Sequence, residues 1–232
     1  MKKKVYRVLA LALLLCLCPA FIRSLGSAAQ AANGVGSLVE TSELFTERDM
    51  VQTADLSEAV YLEVSDGENI TITSEGVYVL SGTAAEATVV VDADGAKVQL
   101  VLNGLSITNS DFPCLDVRDV DKVFVTTSAD SSLTVTGSFI GDGETDTDGA
   151  IFSKSDLVLN GTATLYIRSS ANGVVSKDDL KVTGGSYVIS AQSHALEGKD
   201  SIRIAGGMGG ARGGWGGMNR TNGMNGMGGR RG

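Results

Sequence analysis

The chain has 232 residues, 30 of them glycine and only 2 proline, with 5% aromatic residues and a formal net charge of −8. This length suffices for one moderate domain with its own core, and a composition rich in glycine and β-branched residues excludes a helical bundle. The single histidine, His194, excludes a multi-histidine metal site and disfavours most hydrolase chemistry.

The first 31 residues are predicted to be a secretory signal peptide. A basic start at residues 2–7 precedes an apolar run at residues 8–21 that is short for a membrane span, and Ala29-Gln30-Ala31 matches an A-x-A cleavage site. Cleavage after Ala31 leaves Cys114 as a lone cysteine, which we interpret as a small apolar residue. We therefore expect a secreted, extracellular or cell-surface-associated protein without a membrane span.

Residues 32–68 are predicted to be a linker followed by an N-terminal cap. Ser42 to Leu62 mixes charged and apolar residues without strict alternation, which is not typical of a regular strand. We expect this segment to wrap the open end of the domain that follows, because the first strand of a solenoid otherwise exposes unpaired backbone groups.

A repeat organises residues 69–207. An apolar-x-apolar-x-Gly element recurs at intervals of 22, 33, 24, 23 and 22 residues, and three short strands with three turns account for a period near 22. The repeat predicts an all-β parallel β-helix, a solenoid of about six rungs in which one interval of 33 contains a longer loop. The glycines that end the elements are Gly82, Gly104, Gly137, Gly161, Gly184 and Gly206. We expect them at matched corners of successive rungs, where a sharp turn requires a positive φ.

Alternation within a rung predicts which side chains face the core. Residues i and i+2 of a strand lie on the same side of the sheet, so one set points inward and the other outward. The predicted inward residues are Leu157, Leu159, Leu165 and Ile167, and the predicted outward residues are Val158, Tyr166 and Arg168.

Charge is distributed unevenly along the chain. Residues 32–207 contain 10 basic and 27 acidic residues, a balance of −17. Such a surface repels nucleic acid, so we expect no nucleic-acid partner, and it attracts divalent cations. Residues 208–232 are basic and dominated by glycine, methionine and arginine, and we predict a disordered tail because they offer too little apolar surface to fold.

Several motifs resemble a known family, the secreted bacterial carbohydrate-binding domains with a pectate-lyase-like β-helix. They are the stretches 45–49 and 52–57, Thr71 to Gly82, Lys97 to Gly104 and the Ser-Lys-Asp-Asp-Leu rungs. The resemblance covers Leu44 to Gly206 and implies a right-handed, single-stranded parallel β-helix. It also implies binding of plant-type polysaccharide, including polygalacturonate, with structural calcium and without established lyase activity.

An acidic loop is the candidate calcium site. Asp142, Glu144, Asp146 and Asp148 place carboxylates at alternate positions before Gly149, and calcium prefers six to eight oxygen ligands. The position where a calcium loop has its bidentate acid is occupied by Ser155, so the alternative is a solvated acidic loop.

Three lysines and two neighbours form the candidate carbohydrate-binding site. Lys154, Lys177 and Lys199 are 23 and 22 residues apart, so the repeat predicts a column of ammonium groups that could meet the carboxylates of an acidic glycan. Arg168 and Tyr166 could add a bidentate contact and a stacking surface. In the alternative interpretation, the lysines neutralise neighbouring aspartates.

The predicted function is non-catalytic binding of extracellular polysaccharide, either cellulose-like or acidic such as polygalacturonate, with calcium as the expected cofactor. No catalytic residue is assigned, because the sequence lacks a convincing acid and base pair. Two alternatives remain, a calcium-dependent polysaccharide lyase and a structural cell-surface solenoid. We also expect the C-terminal rung, at Ser201 to Gly206, to favour end-to-end self-association.

Overall fold

A computed structural model describes residues 44–141 and 146–216, with backbone alone for residues 208–216. The predicted signal peptide and the linker up to residue 43 lie outside these residues. The described chain contains sixteen β-strands and one 3-10 turn, Arg48–Met50. Within that part of the chain, no helix is long and apolar enough to cross a membrane.

The strands follow one another around a solenoid axis, and every strand pairing is parallel. The strands are β1 Val60–Glu63, β2 Ile70–Ile72, β3 Gly76–Ala85, β4 Val89–Asp92, β5 Lys97–Asn109, β6 Leu115–Asp119, β7 Lys122–Ala129, β8 Ser131–Val135, β9 Gly149–Ser153, β10 Asp156–Gly161, β11 Thr164–Ser169, β12 Asn172–Ser176, β13 Asp179–Val182, β14 Ser186–Gly198, β15 Ser201–Ile204 and β16 Met208–Gly216.

These strands stack into three sheets around one core. Sheet A contains β1, the first parts of β3 and β5, and then β7, β10, β13 and β15. Sheet B contains the second parts of β3 and β5, then β8, β11 and the first parts of β14 and β16. Sheet C contains β2, β4, β6, β9 and β12 and the last parts of β14 and β16. The predicted all-β parallel solenoid of about six turns is confirmed.

The period of 22 to 23 residues places equivalent side chains directly above one another in the last rungs. Leu157 pairs with Leu180, which pairs with Ile202. All four residues predicted to face inward are in the buried core, with side chains at most 2% exposed. The sequence pattern therefore predicted the orientation correctly, because inward residues of a solenoid have no alternative to the shared core.

The corner glycines are only partly as predicted. Gly82, Gly104 and Gly161 have φ values of +99°, +72° and +128°, a region that favours glycine because it lacks a Cβ atom. However, the residue opposite Gly161 in the preceding rung is Thr127, so this corner does not contain glycine in every rung. Gly137 follows β8 at a different corner, so its assignment to the same series of corners is wrong.

The N-terminal segment differs from the predicted cap. Residues 45–52, which we call the strap, lie across the outer face of sheet A instead of covering the open end. Asn160 donates to the carbonyl of Val51 at 3.0 Å, and the amide of Gly161 donates to the side chain of Gln52 at 3.1 Å. The other end of the predicted cap, Val60–Glu63, is the first strand of the solenoid. The strap binds laterally because its polar groups match those of rungs more than 100 residues away.

Asp49 is the centre of the strap and is fully buried. Its Oδ2 atom lies 3.0 Å from Lys181 Nζ, and its Oδ1 atom lies 3.5 Å from Lys122 Nζ. Burial by itself raises the pKa of the Asp49 carboxyl, but the hydrogen bond from the Thr46 amide and the two lysines outweigh it. The pKa of Asp49 is therefore below its ordinary value.

This lowered pKa predicts a specific loss of stability in acid. Ionised Asp49 stabilises the folded state fully above the unfolded pKa of about 4, and that contribution disappears as the pH falls through the lower folded value. We expect the free energy of unfolding in urea to fall more steeply from about pH 5 to pH 2 for the wild type than for Asp49→Asn. Glu47→Gln, at an exposed strap position, should keep the wild-type slope. Equal slopes for all three proteins would contradict the prediction.

The C-terminal end also differs from the prediction. Met208–Gly216 forms β16 and pairs in parallel with β14, so the predicted disorder of residues 208–232 is wrong for this part. Its backbone continues sheets B and C by one strand, which gives the glycine-rich segment hydrogen-bond partners without requiring apolar side chains. Residues 217–232 lie outside the described chain. In sheet A the strand order ends at β15, where Ile204 is 45% exposed, and self-association through this edge stays a prediction.

Candidate functional site

The outer face of sheet B carries Tyr166 and Arg168, both exposed as predicted. The two side chains project from β11, where Tyr166 lies between Ser132 and Val188 of the neighbouring strands. Tyr166 is 46% exposed, so its ring offers a surface on which a sugar ring could stack.

A polar groove lies beside this face, at the corner where sheet B leads into sheet C. Two adjoining depressions of about 270 and 320 Å³ share Thr136, Ser170 and Gln192. Arg168 lines the first depression and Phe139 lines the second. The groove therefore combines hydroxyl, amide and guanidinium groups with one aromatic ring, which are the groups that saccharides require from a binding site.

Two polar side chains of the groove are available to a ligand. Among the residues that the structure describes, neither Arg168 nor Gln192 has a side-chain hydrogen bond or an ion pair, and both are exposed. By contrast, the Ser170 hydroxyl donates to the carbonyl of Gly137, and the Thr136 hydroxyl donates to the carbonyl of Asn109. The free groups thus border a rigid wall whose hydroxyls are held in place.

The groove residues were not predicted, although their spacing contained a signal. Residues 136, 170 and 192 are separated by 34 and 22 positions. These intervals equal those between Leu133, Ile167 and Ile189, which are paired in sheet B. A correct alignment of the rungs, including the long one, would have identified this column.

The three predicted lysines lie on another part of the molecule. Lys154, Lys177 and Lys199 follow matched strand ends at the corner where sheet C leads into sheet A. The backbone amide of Lys177 donates to Ser153 and that of Lys199 donates to Ser176, at 2.8 and 2.9 Å. The backbone positions of the three lysines are therefore aligned from rung to rung, but the structure does not bring these lysines together with Tyr166 and Arg168.

Among the described contacts, Lys177 and Lys199 are not neutralised by neighbouring aspartates. Lys177 Nζ lies 5.5 Å from the centre of the Phe152 ring, a cation–π contact. Burial, followed by the charges of Asp156 and Asp200, raises the pKa of the adjacent Asp178 above its ordinary value. Among the described contacts, no ion pair joins Lys177 or Lys199 to an aspartate, so both ammonium groups remain available to an external anion.

The predicted calcium loop is described only in part. Asp142 and Glu144 lie outside the described residues, whereas Asp146 is exposed and Asp148 is half-buried. The Oδ2 atom of Asp148 accepts a hydrogen bond from Asn172 at 2.8 Å, and its buried Oδ1 atom has no hydrogen-bond partner within the described chain. In the same part of the chain, no group of three or more His, Cys, Asp or Glu residues is arranged to hold a metal.

Comparisons with known proteins agree with this architecture. Residues 66–229 match the model of a family described as carbohydrate-binding domain-containing protein. A relative with the same description in Acetivibrio thermocellus is 28% identical over 172 residues, which cover 72% of this chain. The aligned region spans 59% of that relative's length.

A solved structure shares the fold. It is described as the polysaccharide lyase-like protein from C. thermocellum, in a gadolinium derivative, and the TM-score is 0.54 at 21% sequence identity. The match covers 63% of this chain and 79% of the other. At this identity the likeness shows the fold alone.

Proposed function

The chain belongs to the family of carbohydrate-binding domain-containing proteins, and from this premise we propose that it binds an extracellular polysaccharide without cleaving it. The binding site is the outer face of sheet B together with the groove of Thr136, Ser170 and Gln192. The observation that carries this assignment is the exposed guanidinium of Arg168, which has no partner among the described residues, beside that column of polar groups.

The geometry favours a linear ligand. Strands of successive rungs lie about 4.8 Å apart, so a column across three rungs provides a hydroxyl or amide at each step. A guanidinium forms two parallel hydrogen bonds with a carboxylate, which favours an acidic chain such as polygalacturonate over a cellulose-like chain. The column at Lys154, Lys177 and Lys199 forms a second, separate contact surface for the same anionic polymer. Secretion through residues 1–31 belongs to this proposal, because extracellular polysaccharide is the ligand.

Removing the guanidinium should weaken binding of an acidic polysaccharide. We expect Arg168→Ala to raise the Kd for polygalacturonate oligomers by at least about tenfold in calorimetry, since a hydrogen bond to a charged group contributes about 1.5–3 kcal/mol. Lys97→Ala is the matched control, because Lys97 is an exposed cation on sheet A that pairs with Asp121. An unchanged Kd for Arg168→Ala would contradict the assignment of the groove.

Tyr166→Ala should weaken binding of the same oligomers through loss of stacking, by about 0.5–1.5 kcal/mol. Its matched control is Tyr61→Ala, because Tyr61 is 66% exposed on β1 of another sheet. Formation of unsaturated sugars during these incubations, measured by ultraviolet absorbance with calcium present, would contradict the non-catalytic assignment and favour a lyase.

Calcium binding at the acidic loop is part of the proposal. The buried Oδ1 atom of Asp148 lacks a partner within the described chain, and the exposed carboxylate of Asp146 is two residues away. Both are the hard oxygen ligands that calcium prefers. A calcium ion held here would neutralise part of the acidic loop and fix the turn that precedes β9.

Calcium should therefore stabilise the folded chain. At a concentration of about 100 times its Kd, we expect an increase of about 2.7 kcal/mol in the free energy of unfolding. The isosteric Asp148→Asn should lose most of this increase, whereas Asp94→Asn, in an exposed turn between β4 and β5, should retain it. Equal stabilisation of both variants, measured by urea denaturation with calcium or with chelator, would exclude Asp148 as a ligand.

A further inference from the structure

The face of sheet A beneath the strap carries hydrogen-bonded polar side chains beside the buried apolar side chains of Val101, Phe124 and Val158. Gln99 Nε2 donates to Thr126 Oγ1 at 2.9 Å, and Thr126 Oγ1 donates to Asn160 Oδ1 at 2.6 Å. These three side chains point outward from β5, β7 and β10 and are at most 9% exposed. Amide and hydroxyl groups beside an aromatic ring are also what the groove of sheet B combines.

The groups by which the strap contacts this face are carbonyl, amide and carboxylate groups. The carbonyl of Asp49 accepts a hydrogen bond from the Thr183 hydroxyl. Gln52 accepts one from the Gly161 amide through Oε1 and donates one to the carbonyl of Thr183 through Nε2. The hydroxyl groups and carboxylates of an acidic saccharide offer hydrogen bonds of the same kinds.

The strap also forms ion pairs with two lysines and a cation–π contact with one aromatic ring. The Asp49 carboxylate lies between Lys122 and Lys181, and the Arg48 guanidinium stacks over the Phe124 ring at 4.5 Å. When the strap leaves, Lys181 loses its carboxylate and the Phe124 ring is exposed. A ring that stacks on a planar group, beside an ammonium group without a counterion, matches a sugar acid in both shape and charge.

The strap is a single layer that contributes little apolar surface. Of residues 45–52, only Phe45 and Asp49 are buried, whereas Thr46, Glu47, Arg48, Met50 and Val51 are exposed. The following residues, 53–59, form no strand, and most of them are exposed. Polar contacts and ion pairs hold the strap. Its release exposes the apolar side chains of Phe45, Phe124 and Val158, while the rungs beneath it remain paired in the solenoid.

From these contacts we propose that the strap masks a second saccharide-binding face and occupies it as an internal substitute for an acidic saccharide. A chain that bears carboxylates competes with the strap for Lys122, Lys181 and the row from Gln99 to Asn160. The class of ligand rests on the proposed function, whereas the existence of the masked face rests on the strap contacts alone.

The test uses strap-opening substitutions in a background without the groove cation. Asp49→Lys places a third ammonium group between Lys122 and Lys181 and should release the strap. In calorimetry, we expect Arg168→Ala/Asp49→Lys to bind polygalacturonate oligomers at least about tenfold more tightly than Arg168→Ala alone. A ratio of this size between the two dissociation constants indicates a newly exposed site. Hydrogen exchange of residues 46–52 should rise in the same double variant.

The matched control is Arg168→Ala/Glu47→Lys. It makes the same charge change on the same strap, but at an exposed side chain, so it should leave both hydrogen exchange and binding as in Arg168→Ala. Equal gains in the two double variants would show that added charge alone causes binding, which overturns the proposal. Faster exchange in the Asp49→Lys variant without tighter binding would also overturn it, as would unchanged exchange.

A second variant opens the strap without a change of charge. A Cβ atom at Gly184 would lie 1.6 Å from Gln52 Oε1, so Gly184→Ala displaces that side chain. Arg168→Ala/Gly184→Ala should therefore show a smaller gain in binding than the Asp49→Lys variant, and this variant decides the test if the lysine prevents folding. No gain would overturn the masked face. Failure of the proposed function would appear separately, as an unchanged Kd for Arg168→Ala in the chain with an intact strap.

Discussion

Replacing Asn109 by alanine is expected to lower the free energy of unfolding by about 3–5 kcal/mol, because each buried group left unsatisfied costs about 1–3 kcal/mol. Asn109 is 2% exposed at the end of β5. Its Oδ1 atom accepts from the amide of Ala87 at 3.0 Å, and its Nδ2 atom donates to the carbonyls of Ala87 and Pro113 at 2.9 and 3.2 Å. One side chain thus closes a corner and joins it to the preceding rung.

Asn103→Ala is the control for this substitution, since Asn103 is exposed on the same strand. It should change the free energy of unfolding by at most about 0.5 kcal/mol. Urea denaturation measures both variants, and hydrogen exchange at Ala87 should report the local loss. Similar stabilities for the two variants would show that the backbone groups at this corner find other partners.

Replacing Leu157 by alanine is expected to cost about 2–5 kcal/mol, the range for a leucine truncated in a packed core. Leu157 is fully buried in β10 and pairs with Val123 on one side and Leu180 on the other. Rungs on both sides hold the surrounding strands in place, so the structure cannot collapse fully into the cavity.

Ile202→Ala, the corresponding truncation in the last rung, should lower the free energy of unfolding by less than half as much as Leu157→Ala. Ile202 lies in the same column but is only partly buried, because the strand order of sheet A ends there at β15. Val188→Ala, on the outer face of sheet B and 44% exposed, should be close to neutral. Urea denaturation of the three variants tests the order, and an equal loss at Leu157 and Ile202 would show that the terminal rung is as rigid as the centre.

The structure also separates residues that we predicted to form one binding site. Lys177 and Arg168 are nine positions apart, yet β12 ends at the corner of sheets C and A, whereas β11 belongs to sheet B. In a solenoid, residues that are close along the chain can lie on different faces, because each rung turns through three sheets. The predicted saccharide site therefore becomes two surfaces, and the groove residue Gln192 joins Arg168 from the next rung.

The solenoid could be predicted from the sequence, because the pattern that indicates it is local and repeated. The alternation of Leu157 and Leu159 with Val158, together with lysines 22 and 23 positions apart, requires only that each rung lie on the previous one. Cys114 was likewise assigned correctly as an apolar residue, since it is fully buried and burial raises the pKa of its thiol to about 12.

The segments that cover the solenoid could not be predicted from the sequence and became evident in the folded chain. The strap pairs Asp49 with Lys181, which is 132 positions away, and a single contact at such a distance produces no periodic signal. Similarly, β16 is held by backbone hydrogen bonds to β14, and these do not depend on the apolar residues that a composition argument counts. Periodicity specifies how rungs stack, whereas lateral and terminal contacts depend on individual polar groups that meet only after the rungs have formed.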